Sequence, residues 1–223
     1  MRKVTVYILN YNYGRYLASA IESVLCQTYG NLEVLLIDDG STDNSSEIID
    51  TYAERITVIK QENQGLVKSI LRAFSIATGD YVIRLDADDW LDPECVAELV
   101  KKMEASDKVA MVFPDYYEVD EFGQKIRRIK RHDFSKNVSM LDQPAHGACT
   151  LIRKEHYFEV GGNDDRYQCQ DGVDLWLSLT ATYDVLNVTK PLFYYRKHSE
   201  SLTTQEGKIL STRAEIYRNH AVK

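Results

Sequence analysis

Four short apolar runs within the first 85 residues constrain this chain more than any other feature. They are Lys3 to Leu9, Glu33 to Ile37, Ile56 to Ile59 and Tyr81 to Leu85. The second and fourth are near-continuous rather than alternating, which is the pattern of parallel strands buried on both faces. Between the runs, apolar residues recur at helical spacing. Leu17, Ile21, Val24 and Leu25 mark a helix over Arg15 to Gln27, and Ile48, Ile49 and Tyr52 mark a second. Leu66, Ile70, Phe74 and Ala77 mark a third, ending at Thr78-Gly79 with the glycine as its C-cap. Strand and helix alternate through residue 85. The expected fold is therefore α/β, with a Rossmann-like, mostly parallel central sheet flanked by helices.

Each strand delivers polar residues to one edge of that sheet. Asn10-Tyr11-Asn12-Tyr13-Gly14 follows the first, and Asp38-Asp39-Gly40-Ser41-Thr42-Asp43 the second, with Thr42 or Asp43 as helix cap. The fourth ends in Asp86-Ala87-Asp88-Asp89. The carboxyl edge is where open α/β sheets bind ligands. Burying so many carboxylates together is costly unless a cation offsets them, so the cluster points to a divalent metal. The plain alternative is a solvated acidic turn, with Asp92-Pro93 as N-cap and first helical residue.

The second half is less regular. Val96, Leu99, Val100 and Met103 predict a helix, Val109 to Phe113 a strand, and Tyr116 to Arg131 a hairpin turning at Glu121-Phe122-Gly123. Its basic arm, Lys125 to Arg131, reads as a half-exposed strand or as a surface for an acceptor or anionic lipid. Residues 133–147 read as a loop over the site, and His146 lies near the strand Ala148 to Arg153. Lys154 to Val160 is a short helix, and Asp171, Leu175, Trp176 and Leu179 form one helical stripe. Val185 to Val188 and Leu192 to Tyr195 are expected strands, and Lys208 to His220 a terminal helix. One domain is expected over 1–223: a nucleotide-binding half to about 110, an acceptor half to about 205 and a helix over 206–223.

A net charge of -7 argues against nucleic acid as partner. No apolar run approaches the ~18–20 residues of a membrane span, and the N-terminus does not read as a signal peptide. Cys26, Cys95, Cys149 and Cys169 form no C-x-x-C pair, so neither structural zinc nor a disulfide framework is expected.

Taken in order, these segments resemble the family 2 glycosyltransferases of the GT-A fold. The resemblance rests on Ile8 to Leu17, Ala20 to Tyr29, Asp38 to Asp43, Asn63-Gln64-Gly65, Ala77 to Asp89, Gly161-Gly162, Gln170 to Trp176 and Tyr195-Arg196-Lys197-His198. It implies an inverting transfer of sugar from a nucleotide-diphosphate donor, UDP-sugar favoured, to a glycan or lipid-linked acceptor. Leu9, Asn10 and Tyr11 would border the nucleobase, and Asp39 would accept from its ring N–H. Asp38 would be structural. Lys68 would reach the diphosphate or remain a solvated helix lysine. Asp86-Ala87-Asp88 matches the D-x-D motif: Asp86 toward the ribose or a water, Asp88 toward Mn2+ or Mg2+, with Asp89 also a candidate. His198 falls where some relatives place a metal- or diphosphate-contacting histidine. Asp171 matches the general base, and Trp176 is expected in the core. The implied location is cytoplasmic, with peripheral association at the inner face of the membrane also in view. Two departures stand out: Gln170 where the family often has Glu, and no proline near Leu9. A nucleotidyltransferase and a non-catalytic nucleotide-sugar or glycan-binding domain are the competing readings. The first lacks its Gly/Lys/Arg-rich phosphate loop here.

Overall fold

In the computed structural model, which describes residues 1–131, 147–167, 169–198 and 206–221, the chain is built on one twisted sheet. Strand β1 (Val4–Asn10) lies parallel between β2 (Leu32–Asp38) and β4 (Tyr81–Asp86), and β3 (Thr57–Lys60) extends the sheet beyond β2. The register sets Asn10 opposite Asp38 and Leu9 opposite Asp86, so the expected ligand edge is formed by neighbouring strand ends. Helices α1 (Gly14–Leu25), α2 (Ser45–Tyr52) and α3 (Leu66–Ile76) are the crossovers.

Alternate residues of β1 feed two cores. Val4, Val6 and Ile8 pack with Leu17, Ile21 and Val24 of α1 and with Ile49 of α2. Tyr7 and Leu9 pack on the other face with Ile70 and Phe74 of α3. The period-two geometry of a strand covered on both faces explains why these runs contain almost no polar residues.

Beyond β4 come β5 (Trp90–Leu91), α4 (Cys95–Met103), β6 (Val109–Val119), β7 (Lys125–Ile129), β8 (Leu151–Arg153), α5 (Lys154–Glu159), α6 (Asp171–Thr180), β9 (Asp184–Arg196) and α7 (Glu206–Ala221). Among the described residues the sheet has nine strands in the order β3-β2-β1-β4-β8-β6-β9-β5, with β7 added to β6. Strand β8 runs antiparallel to both β4 and β6, and β9 is parallel to β6. The α/β, mostly parallel fold expected from the sequence is the one observed.

Several local expectations need correction. Gly79 is not a left-handed cap, since α3 ends at Ala77. A Cβ on Gly79 would stand 2.5 Å from the backbone nitrogen of Thr5, so glycine is needed there for close approach. The helix expected to start at Asp92-Pro93 begins two residues later, at Cys95; Asp92 instead accepts from the Glu94 amide at 3.0 Å in the preceding turn. The separate strands expected around Pro114 are one strand, β6, as are those around Pro191 in β9. The register shifts beside Pro114 and skips two residues before Pro191, so the sheet absorbs both prolines as irregularities. The short β5, pairing with β9, was not foreseen. Residues 133–146, expected to form a loop, and with them His146, lie outside the described residues.

Asp43 does more than cap one helix. Its Oδ1 accepts from the Ser45 amide at the start of α2 (3.0 Å), and its Oδ2 accepts from the Gly14 amide at the start of α1 (2.8 Å). Two orphan amides and two positive helix ends share one carboxylate.

Candidate active site

The ends of β2, β1 and β4 set the floor of the site. Asn10 is buried and donates from Nδ2 to Asp38 Oδ1 (2.8 Å) and to Ser41 Oγ (3.0 Å). Its Oδ1 is buried without a hydrogen bond. Leu9 is nearly buried and its carbonyl accepts from the Ala87 amide (3.0 Å), while Tyr11 is 48% exposed at the rim. Asp39 turns away from Asp38. Its Oδ1 accepts from Gln61 Nε2 (2.7 Å) and the Gln64 amide (2.9 Å), and its Oδ2 from the Gly65 amide (2.8 Å). Asp39 therefore holds the loop that leads into α3. Gly65 adopts φ +86°, a left-handed conformation open to glycine. Lys68 stands exposed on the first turn of that helix.

The β4 acids diverge. Asp88 Oδ2 lies 2.9 Å from His198 Nε2, and the His198 ring packs against Tyr13 and Tyr16 at the start of α1 (centroids 5.4 and 5.6 Å). This joins residues 110 positions apart. Asp89 faces inward: it is 1% exposed, and its Oδ1 accepts from the Arg196 amide (2.8 Å), while its Oδ2 is buried without a hydrogen bond. Arg196 binds the Asp88 carbonyl through Nε (2.8 Å) and lies between the Tyr16 and Trp90 rings at 4.3 and 4.8 Å. Asp88 and Asp89, adjacent in sequence, thus have different surroundings.

Asp86 and Asp171 meet at a residue that the sequence reading passed over. Arg84 is 5% exposed in the middle of the fourth apolar run. Its Nη1 donates to Asp171 Oδ2 (2.8 Å), its Nη2 to Asp86 Oδ2 (3.4 Å), and its Nε lies 3.0 Å from Asp86 Oδ1. The signal was a cation in a strand otherwise built for burial on both faces. Its second partner is 87 residues away, at the start of α6, and no spacing rule connects the two. Asn163 donates to the Asp171 carbonyl (3.1 Å), and Arg213 of α7 clamps the Gln170 side chain (2.7 and 3.0 Å). Gln170 has φ +64°, and the other positive-φ non-glycine residues among those described are Asn12 and Cys149. All three border this edge: Asn12 is bonded to the Ser41–Asp43 turn, and the Cys149 amide to the Arg84 carbonyl (2.8 Å). Unusual backbone conformations concentrate where a structure must aim groups. Trp176 lies in the core, 5.9 Å from the Phe113 ring.

Burial dominates the electrostatics. It pushes Asp86 up to about 6, with Arg84 pulling down and Asp88 adding to the rise. It also holds Asp89 well above the ordinary carboxylate range, reinforced by Asp88 and Asp86. Both shifts come first from burial, and the neighbouring carboxylates add to them. Among the described residues, no three His, Cys, Asp or Glu side chains converge as a ready-made cage.

The chain that carries this sheet edge matches known proteins over most of its length. The model of the family described as Glycosyl transferase family 2 matches residues 5–161. This chain is a family 2 glycosyltransferase. The family member is 29% identical over 226 residues to the glycosyltransferase GlyG of Streptococcus pneumoniae serotype 4, covering 91% of this chain and 73% of GlyG. It is 31% identical over 207 residues to the putative glycosyltransferase EpsE of Bacillus subtilis, covering 89% of this chain and 74% of EpsE. Solved structures share the GT-A fold. The mannosyltransferase PcManGT of Pyrobaculum calidifontis, in complex with GDP-Man and Mn2+, superposes with a TM-score of 0.76 at 17% identity over 97% of this chain. TarS 1-349 of S. aureus, in complex with UDP-GlcNAc, gives 0.74 at 17% identity over 99%. This glycosyltransferase chain spans 64% and 66% of those two chains. None of its described helices is long and apolar enough to cross a membrane.

Proposed function

We propose that this family 2 glycosyltransferase transfers a sugar from a nucleotide-diphosphate donor to an acceptor hydroxyl with inversion, Asp171 acting as general base. The observation that carries the reading is the placement of Asp171. It is brought from the second half of the chain to within one guanidinium of the β4 acids. Inversion requires a base on the face of the anomeric carbon opposite the leaving diphosphate. Among the described residues, the hydrogen bond to the Asp171 carboxylate falls on Oδ2. That leaves Oδ1 to take the acceptor proton as the oxygen attacks.

Asn10 and Asp39 would receive the nucleobase, with Leu9 and Tyr11 at its borders. A carboxylate offers about four acceptor positions, and Asp39 uses three, two of them on Oδ1. Oδ2 has room for a base N–H, and a uracil suits this arrangement, hence the preference for a UDP-sugar. Lys68, on the turn after the loop Asp39 holds, would approach the diphosphate.

The residues fit a divalent cation. Asp88 adds to the rise of Asp86, Asp89 keeps a buried oxygen without a partner, and Asp88 and His198 face each other. Mg2+ and Mn2+ favour few protein ligands and complete their shell with phosphate and water. Asp88 and His198 would hold the ion, with Asp89 behind them and Asp86 toward the ribose or a water. Bound there, the ion would offset the charge growing on the diphosphate. The acceptor is proposed, by analogy alone, to be a glycan or lipid-linked sugar, which would draw the protein to a membrane surface.

A panel of UDP-, dTDP- and GDP-sugars with Mn2+ or Mg2+, read as released nucleoside diphosphate, tests the reading. At least one donor is expected to turn over; silence across the panel refutes it. Asp171→Asn is expected to bind nucleotide as the wild type does and to lose about 10²–10⁴-fold in turnover. Wild-type turnover would remove Asp171 from the role of base.

A further inference from the structure

We propose that Arg84 is the positioning residue of the reaction, holding the base Asp171 against the β4 acids so that one carboxylate oxygen alone faces the acceptor. The inference rests on the function proposed above and assigns Arg84 no direct contact with substrate.

The residue is costly where it stands. Strand β4 is buried on both faces, and the register partner of Arg84 on β1 is Tyr7, itself 2% exposed. A desolvated guanidinium is tolerated when matched by carboxylates in good geometry, and such pairs are weak devices for stability alone. Here two carboxylates from distant parts of the chain share one planar fork, which fixes direction as well as distance. The contact with Asp171 is a hydrogen bond at 2.8 Å. The contact with Asp86 is looser: Nη2 donates at 3.4 Å, and Nε lies 3.0 Å from Oδ1 without the alignment of a hydrogen bond. The base is the partner held more firmly.

A second, independent feature guards the same pair. A Cβ on Gly147 would stand 2.4 Å from Asp171 Oδ2, 2.9 Å from Arg84 Nη2 and 3.0 Å from Arg84 Cζ. Gly147 does not have a positive φ, so its backbone conformation does not require glycine. The space it leaves is filled by the ion pair. Gly147, in the acceptor half, therefore packs against the Arg84–Asp171 contact as the one residue type that does not disturb it. A lysine at 84 would keep the charge, but a single ammonium lacks the fork that grips both acids.

The test uses the whole chain with Mn2+ and the UDP-, dTDP- or GDP-sugar that the wild type turns over. It reads donor hydrolysis, with water in place of the acceptor, and nucleoside diphosphate affinity by titration. Arg84→Met and Gly147→Ala are each expected to lower kcat by about 10²-fold or more, with donor KM and nucleotide affinity within about threefold of wild type. Arg84→Lys should likewise keep nucleotide affinity and recover kcat by less than tenfold over Arg84→Met. The double variant Arg84→Met/Asp171→Asn should be no slower than Asp171→Asn alone, because residues acting as a unit are not additive. A double variant slower by the full Arg84→Met factor would show that Arg84 acts independently of the base and overturn the proposal. So would a rise in KM at unchanged kcat, which would place Arg84 on the donor. Should Arg84→Met fail to fold, Gly147→Ala and Arg84→Lys decide alone: unchanged kcat in both overturns it. A wild type inactive on every donor defeats the parent reading, whereas an active wild type with active variants defeats this inference only.

Discussion

Strands β2 and β4 end in the same way, with an apolar run passing into adjacent aspartates at one sheet edge, yet the two ends are physically opposite. At β2, Asp38 and Asp39 are satisfied by neutral donors: an amide side chain, a hydroxyl, a glutamine and two backbone N–H groups. At β4, Asp86 faces the Arg84 guanidinium, Asp88 the His198 ring and Asp89 the Arg196 amide, with burial raising Asp86 and Asp89. The first end has its carboxylates anchored by neutral donors, with one position left on Asp39 Oδ2 for the proposed nucleobase. The second keeps a buried carboxylate oxygen of Asp89 without a hydrogen bond, beside which the proposed cation would sit. Similar sequence patterns thus separate according to whether neutral donors or mainly charged groups stand opposite, and the two ends would serve the proposed donor differently, one at the base and one at the diphosphate.

The contrast can be broken by removing charges one at a time. Asp88→Asn should raise the Mn2+ concentration needed for nucleoside diphosphate binding about 100-fold, roughly 2.7 kcal/mol, as read by calorimetric titration. An unchanged requirement would move the ion to Asp89. At β2, Asp39→Asn turns an amide toward two backbone N–H groups and should cost about 2 kcal/mol, lowering Tm by several degrees. A neutral result would mean that the Gln61–Gly65 loop is held by other contacts. Asp89→Asn should do the reverse in metal-free protein. It keeps the acceptor for the Arg196 amide and removes a buried, unmatched charge, for a gain of about 1 kcal/mol or roughly 2–4 °C. A loss of stability there would show that Asp89 is adequately paired.

The smallest effect concerns pH. Glu33, at the other end of β2, is held at about 2: burial pushes it up, but hydrogen bonds from Thr5, Thr78 and Lys3 pull it further down. Its folded value lies below the unfolded one, so its contribution is present above the unfolded range and fades as pH falls through the folded value. Asp86 is opposite, since its folded value is raised. Metal-free protein should therefore gain stability from Asp86 as pH falls through about 6 toward 4. Glu33→Gln should cost about 1 kcal/mol at pH 7 after allowance for screening, and its Tm deficit should vanish toward pH 2. A deficit independent of pH would mean that the effect is one of packing.

How far the sequence carries depends on where the determining contact lies. The β1 to β4 half was legible because its signals are local: periodicity, turn residues and acids at strand ends. The β6 and β9 strands were read as broken because Pro114 and Pro191 look like stops until a neighbouring strand absorbs the irregularity. Gly79 was read as a cap because its true neighbour, Thr5, is 74 residues away. The site residues Asp39, Asp86, Asp88, Asp171 and His198 were all named from their motifs. The partners that give them distinct surroundings, Arg84, Arg196 and Gly147, were given no role, since each acts through a contact that only the folded sheet creates.

Asp43, which accepts from the first amides of both α1 and α2, has a consequence for motion. Neither helix can fray at its N-terminus without releasing the same carboxylate. The Gly14 and Ser45 amides belong to one opening event, and their hydrogen-exchange protection should rise and fall together. Removal of that carboxylate would divide one cooperative unit into two, so the turn carrying Asn12 and the proposed nucleobase edge would breathe independently of the helix beside it.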